Sequence, residues 1–152
     1  MHGTALLATA AVGILTAASL VACQGDVACP AIAAAPFLTL HIAASVAATL
    51  DPTSITATAC QDTACHGGPL PLIDEQASGS ASPGKMGQIN MGILTETPID
   101  LTVSGRDLLG RPLGDYRLQF VPHIAYPWGY TCPRVITAGA LLDGTGLHPA
   151  AS

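Results

Sequence analysis

Ile99-Asp100-Leu101-Thr102-Val103-Ser104 and Tyr116-Arg117-Leu118-Gln119-Phe120 are the two stretches that decide the fold of this 152-residue chain. In the first, Ile99, Leu101 and Val103 alternate with Asp100, Thr102 and Ser104. In the second, Tyr116, Leu118 and Phe120 alternate with Arg117 and Gln119. Successive side chains of an extended chain point to opposite faces, so a period of two marks a strand with one face buried. Between them lies a Gly- and Pro-punctuated run, Gly105-Arg106-Asp107-Leu108-Leu109-Gly110-Arg111-Pro112-Leu113-Gly114, which reads as a turn region.

The same pattern extends outward. Residues 54–60 (SITATAC) set Ile55, Ala57 and Ala59 against Ser54, Thr56 and Thr58. Residues 36–42 begin a strand-like run, and Asp51-Pro52 marks a turn. Residues 43–50 (AASVAATL) are ambiguous and suit a helical turn. Residues 66–73 carry Pro69 and Pro71, which confine that piece to a sheet edge. Residues 74–87 (DEQASGSASPGKMG) read as a long loop. Ile89, Met91 and Ile93 point one way, and residues 134–141 (RVITAGAL) supply a last strand. About seven short strands at hairpin spacing predict an all-β domain over residues 36–152, an antiparallel β-sandwich.

Composition narrows the function classes. Only 10% of residues are charged, and five Lys and Arg face ten Asp and Glu, for a net charge of −5. No basic cluster exists to neutralise phosphates, which excludes a nucleic-acid partner of the usual electrostatic kind. Sixteen Gly and twelve Pro break the chain too often for a coiled coil. Residues 23–80 hold five acids and no Lys or Arg, so no basic membrane patch is expected there.

The N-terminal residues are different in kind. Residues 3–23 carry no charge, and residues 5–20 (ALLATAAVGILTAASL) suit the apolar core of an export signal. Leu20-Val21-Ala22-Cys23 follows. This tetrad resembles the bacterial lipobox. The resemblance implies a signal peptide over residues 1–22, cleavage before Cys23, and acyl chains such as palmitate on that cysteine. Cysteine suits the role because its thiolate is the nucleophile. The n-region offers His2 and the terminal amine in place of the usual Lys or Arg. An uncleaved anchor helix and a soluble secreted product therefore stand as alternatives. Residues 23–35 are expected to form a short tether.

Five cysteines are present: Cys23, Cys29, Cys60, Cys65 and Cys132. Acylation of Cys23 leaves an even number, as an oxidising compartment favours. Gln61-Asp62-Thr63-Ala64 suits a hairpin turn, which would let Cys60 and Cys65 meet across two strands. Cys29 would then pair with Cys132. A loop of about a hundred residues closed this way stabilises by about 4–5 kcal/mol in the chain-entropy model. The competing reading makes Cys60, Cys65 and His66 metal ligands, but a second close ligand pair is missing. No metal and no cofactor is expected.

Two further stretches carry a resemblance. Leu101-x-Val103 with Asp107-x-x-Gly110-Arg111-Pro112-Leu113 is similar to a strand and turn of many extracellular Ig-like and transthyretin-like domains. In that turn Asp caps, Gly permits positive φ, and Pro fixes the exit. Tyr126-Pro127-Trp128-Gly129-Tyr130-Thr131-Cys132-Pro133, with Asp143-Gly144-Thr145-Gly146-Leu147 after it, resembles a loop and ending found in small actinobacterial lipoproteins. Together with the lipobox, the resemblance implies an Ig-like or transthyretin-like sandwich on the outer face of the cell membrane. It brings no activity.

Candidate site residues are few. Tyr126, Trp128 and Tyr130 could bind a ligand by stacking, or could fold back over the end of the sandwich. His41, His66, His123 and His148 are scattered, with Met86 and Met91 as further soft donors. Asp74-Glu75 points apart on an extended chain and makes a poor acid–base couple. The serines near Gly79 do not form a nucleophile elbow. The expectation is a non-catalytic lipoprotein, not an enzyme, with a binding or structural role. Its partners would be the membrane, through the anchor, and an envelope protein or cell-wall ligand. A ligand- or metal-carrying lipoprotein and an envelope enzyme are the alternatives. The enzyme would need a cleft near His66, Asp62 and His123.

Overall fold

A computed structural model describes Cys29, residues 35–75 and residues 84–150. Cys23, the signal segment 1–22, most of the tether and residues 76–83 lie outside the described residues.

Among the described residues, ten strands and one short helix follow in order. They are β1 (Phe37–Ile42), α1 (Ala44–Ala47), β2 (Thr56–Gln61), β3 (Ala64–Pro69), β4 (Ile73–Glu75) and β5 (Gly84–Asn90). After these come β6 (Ile99–Ser104), β7 (Tyr116–Phe120), β8 (His123–Ala125), β9 (Val135–Asp143) and β10 (Gly146–Pro149). One sheet runs β10-β9-β1-β5-β4, with β8 also paired to β9, and the other runs β3-β2-β6-β7. The sheets face each other across one core. Leu38, Leu40, Ile42, Ile89, Ala140 and Leu142 come from the first, and Ala57, Ala59, Ile99, Leu101, Val103 and Phe120 from the second. Ile99, Leu101 and Val103 are at most 1% exposed, so the period of two in this stretch sets its face as expected.

The sandwich departs from the expected one in several places. Its described residues form ten strands, not about seven, the additional ones, β4, β8 and β10, being only three or four residues long. The strand read as last is followed by β10, which returns along β9 with Leu147 opposite Leu142. Nor is every pair antiparallel: β1 runs parallel to β9, Leu38 opposite Ala138 and Ile42 opposite Leu142.

The long loop expected over residues 74–87 is shorter. Asp74 and Glu75 belong to β4, and Gly84 to Gly87 belong to β5, which pairs with the whole of β1. Small residues suit this strand for a steric reason. A Cβ on Gly84 would come 2.8 Å from the Ile42 carbonyl oxygen, and one on Gly87 would come 2.6 Å from the Leu70 side chain. Ile93 does not join Ile89 and Met91 in the core. β5 ends at Asn90, Gly92 takes φ +69, and Ile93 is 75% exposed.

Two cysteine bridges close the fold. Cys60 and Cys65 are directly opposed on β2 and β3, their Cα atoms 4.0 Å apart, so the hairpin turn narrows to Asp62-Thr63 with Asp62 at φ 54. Cys29 bonds Cys132, Cα to Cα 5.4 Å, across 103 positions.

Aspartates organise three turns. The Asp107 carboxylate accepts from the Leu109 and Arg111 amides, while Gly110 sits at φ +76. Partial burial raises the Asp107 pKa, but hydrogen bonds from the Arg111 amide and side chain and from the Leu109 amide, together with the Arg111 charge, outweigh this and hold it below the usual value. A hydrogen bond from the Thr53 hydroxyl lowers Asp51, and one from the Thr145 hydroxyl lowers Asp143.

Candidate functional site

Strand polarity gathers one set of features at one end of the sandwich. The start of β1, the end of β5 and the start of β9 meet there in the first sheet, since Phe37 faces Asn90 and Leu38 faces Ala138. In the second sheet Gln61 faces Ile99, and Ile99 faces Phe120, so the β2–β3 turn and the end of β7 lie at that end too.

Gln61 ties the β5–β6 connection to the second sheet here. It is the one buried polar or charged residue among those described, at 5% exposure. Its side-chain amide donates to the carbonyl oxygens of Thr95 (3.1 Å) and Thr97 (2.8 Å), and its oxygen accepts from the Thr95 amide (3.1 Å). That clamps the segment linking β5 to β6 against the β2–β3 turn. Gln61 was expected only as a turn residue. The signal was present, because Ala57 and Ala59 face inward and the same period puts Gln61 inward as well.

The clamp shapes a cleft of about 400 Å³ between the hairpin tip and the linking segment. Its lining includes Gln61, Asp62, Ala64, His66, Met91 and Ile93. A second groove of about 260 Å³ continues along β3 toward Gln88 and Asn90, and His66 borders both. Gly67 lets β3 run close to β2. A Cβ there, at φ +151, would lie 2.1 Å from the Ala57 carbonyl oxygen.

Of the residues expected near a catalytic cleft, the structure brings Asp62 and His66 together at this cleft. It places His123 on β8, opposite Thr137. The other histidines are engaged elsewhere. His41 Nδ1 sits 2.9 Å from both carboxylate oxygens of Glu75, and His148 Nε2 sits 2.8 Å from the Thr145 hydroxyl. Asp74 pairs with Lys85 at 2.7 Å, so Asp74 and Glu75 serve separate partners. Met91 shares the cleft with His66. Among the described residues no group of three His, Cys, Asp or Glu is placed to hold a metal ion.

The aromatic loop is the second candidate. It joins β8 to β9, and Cys132 anchors it to Cys29. Gly129, at φ +86, donates its amide to the Tyr126 carbonyl, and the Cys132 amide donates to the Gly129 carbonyl. The Tyr126 and Tyr130 rings lie against each other, centroids 4.6 Å apart and tilted by 45°. Tyr130 is 86% exposed and Tyr126 39%, so neither ring is folded into the body, while Trp128 is half-buried.

A scan of family models, a search of curated proteins and a search of solved structures each found no match to this chain.

Proposed function

We propose that this chain is a lipoprotein held on the extracytoplasmic face of the cell membrane by acyl chains on Cys23. Its domain, an Ig-like or transthyretin-like sandwich, then has a non-catalytic binding or structural role in the envelope, toward an envelope protein or a cell-wall ligand. Cysteine use carries the reading. The four cysteines after Cys23 all lie in the two bridges. That leaves the cysteine of Leu20-Val21-Ala22-Cys23 as the one the bridges do not use. Bridges persist in oxidising compartments, and an exported chain reaches one. The Asp107 turn supports the likeness in fold: Asp caps it, Gly110 takes the positive φ, and Pro112 bridges back to Arg106.

Cys23→Ala tests the anchor. In a host that processes lipobox proteins, the native chain should lose residues 1–22 and gain acyl mass, and the variant should do neither. A native chain that keeps residues 1–22 and carries no acyl mass would defeat the reading.

The apolar cleft beside His66 favours a second reading, a ligand-carrying lipoprotein. Its volume falls in the range of small-molecule sites, about 300–1,000 Å³. Native mass spectrometry of protein taken directly from its host would show a bound small molecule. Spectra of the bare chain alone would remove this second reading.

A further inference from the structure

We propose that the end of the sandwich where the chain enters is a membrane-contact face, with Tyr126, Trp128 and Tyr130 seated at the level of the lipid headgroups. The inference rests on the anchor at Cys23. Three independent features point to it.

The first is position. Cys29, bonded to Cys132, stands six residues after Cys23. An extended chain spans at most about 3.3–3.6 Å per residue, so the bridge lies within about 20 Å of the acylated sulfur. Strand polarity puts the start of β1 at the same end. The bridge thus fixes which end of the domain faces the bilayer.

The second is chemistry. Residues 121–133 contain no Asp, Glu, Lys or Arg. Bringing them to the headgroup layer strips water from no fixed charge. They hold the single Trp and two of the three Tyr of the chain, the residue types that favour the membrane–water interface. Tyr130 (86% exposed), Val121 (60%) and Ile93 (75%) all lie at this end. The nearby Arg134 is ion-paired with Glu96, which balances its charge locally.

The third is order. The two successive backbone turns, the Tyr126–Tyr130 contact and the bridge at Cys132 hold the loop in place before it meets anything. Contact with lipid then costs little further conformational entropy. An acyl anchor fixes the chain to the bilayer, and the interfacial rings would fix the orientation of the domain upon it.

The test uses Trp128, the single Trp, as its own reporter. Full-length protein is purified from a host that processes lipobox proteins. Its intact mass shows whether acyl chains are present. It is then reconstituted into vesicles of phosphatidylglycerol and phosphatidylethanolamine, with or without bromine on the acyl carbons nearest the headgroup. Trp128 emission should fall about two-fold in brominated vesicles, because an indole at headgroup depth touches those carbons. Tyr130→Asp should abolish most of that loss, while Leu109→Asp, a change at the opposite end at a residue 78% exposed, should leave it unchanged. An acylated protein whose emission ignores bromine overturns the contact face and leaves the anchor standing. Equal behaviour of the two Asp variants also overturns the contact face. A chain with no acyl mass removes the anchor, and the contact face falls with it.

Discussion

Replacing Gln61 by Leu removes the clamp between the β2–β3 turn and the β5–β6 connection while keeping a side chain of similar size. Three hydrogen bonds are lost, to the Thr95 and Thr97 carbonyls and from the Thr95 amide. At about 1 kcal/mol net per bond the loss is about 3 kcal/mol, and the extra apolar burial of Leu returns roughly 1 kcal/mol. The net cost is about 2 kcal/mol. For a domain of this size that lowers Tm by about 10 °C, taking about 4–8 °C per kcal/mol. Gln119→Leu is the control: Gln119 is exposed and makes one bond, to Asp100 at 3.0 Å, so its change should stay within about 0.5 kcal/mol. Thermal and urea unfolding with both bridges intact measure the difference. Equal stability of the two variants would refute the clamp as a structural element of the cleft.

The remaining predictions concern bridges, glycine and pH. Converting Cys29 and Cys132 together to Ser should cost about 4.7 kcal/mol, and the Cys60/Cys65 pair about 2 kcal/mol, because unfolded-chain entropy rises with loop length; urea unfolding of the two double variants should rank them in that order. Gly67→Ala should cost roughly 2 kcal/mol or more, since its Cβ would lie 2.1 Å from the Ala57 carbonyl oxygen, whereas Gly144→Ala meets nothing within 4 Å and should be near neutral in the same unfolding assay. Asp51, Asp107 and Asp143 have folded-state pKa values lowered from 3.8, so their contribution is complete above that value and is lost as pH falls through the lower, folded ones. A titration of Tm should therefore be flat near neutrality and fall in acid, and Asp143→Asn should make the acid fall shallower.

What the sequence disclosed follows from what each element depends on. β2, β6 and β7 owe their place to side chains sorted between core and solvent, and that sorting is written as a period of two. The β2–β3 bridge was legible because turn residues separate Cys60 from Cys65. The start of β5 was hidden, since Gly84 and Gly87 are there to let backbone and Leu70 pack close, and glycine reads locally as loop. β8 and β10 are too short to show a period. The parallel β1–β9 pair leaves no local trace, because pairing of distant strands is set by the whole core. Ile93 was misplaced because Gly92 turns the backbone out just before it. Of the candidate site, His66 and Asp62 could be named in advance. The cleft they border could not, because it exists only once Gln61 draws residues 95–97 onto the hairpin.

The most direct measurement is the intact mass of the protein from a membrane fraction, alkylated without and with prior reduction. The account predicts residues 23–152 plus acyl chains, with four alkylated cysteines appearing only after reduction. A full-length chain with a free, unacylated Cys23, or thiols that alkylate without reduction, would contradict it.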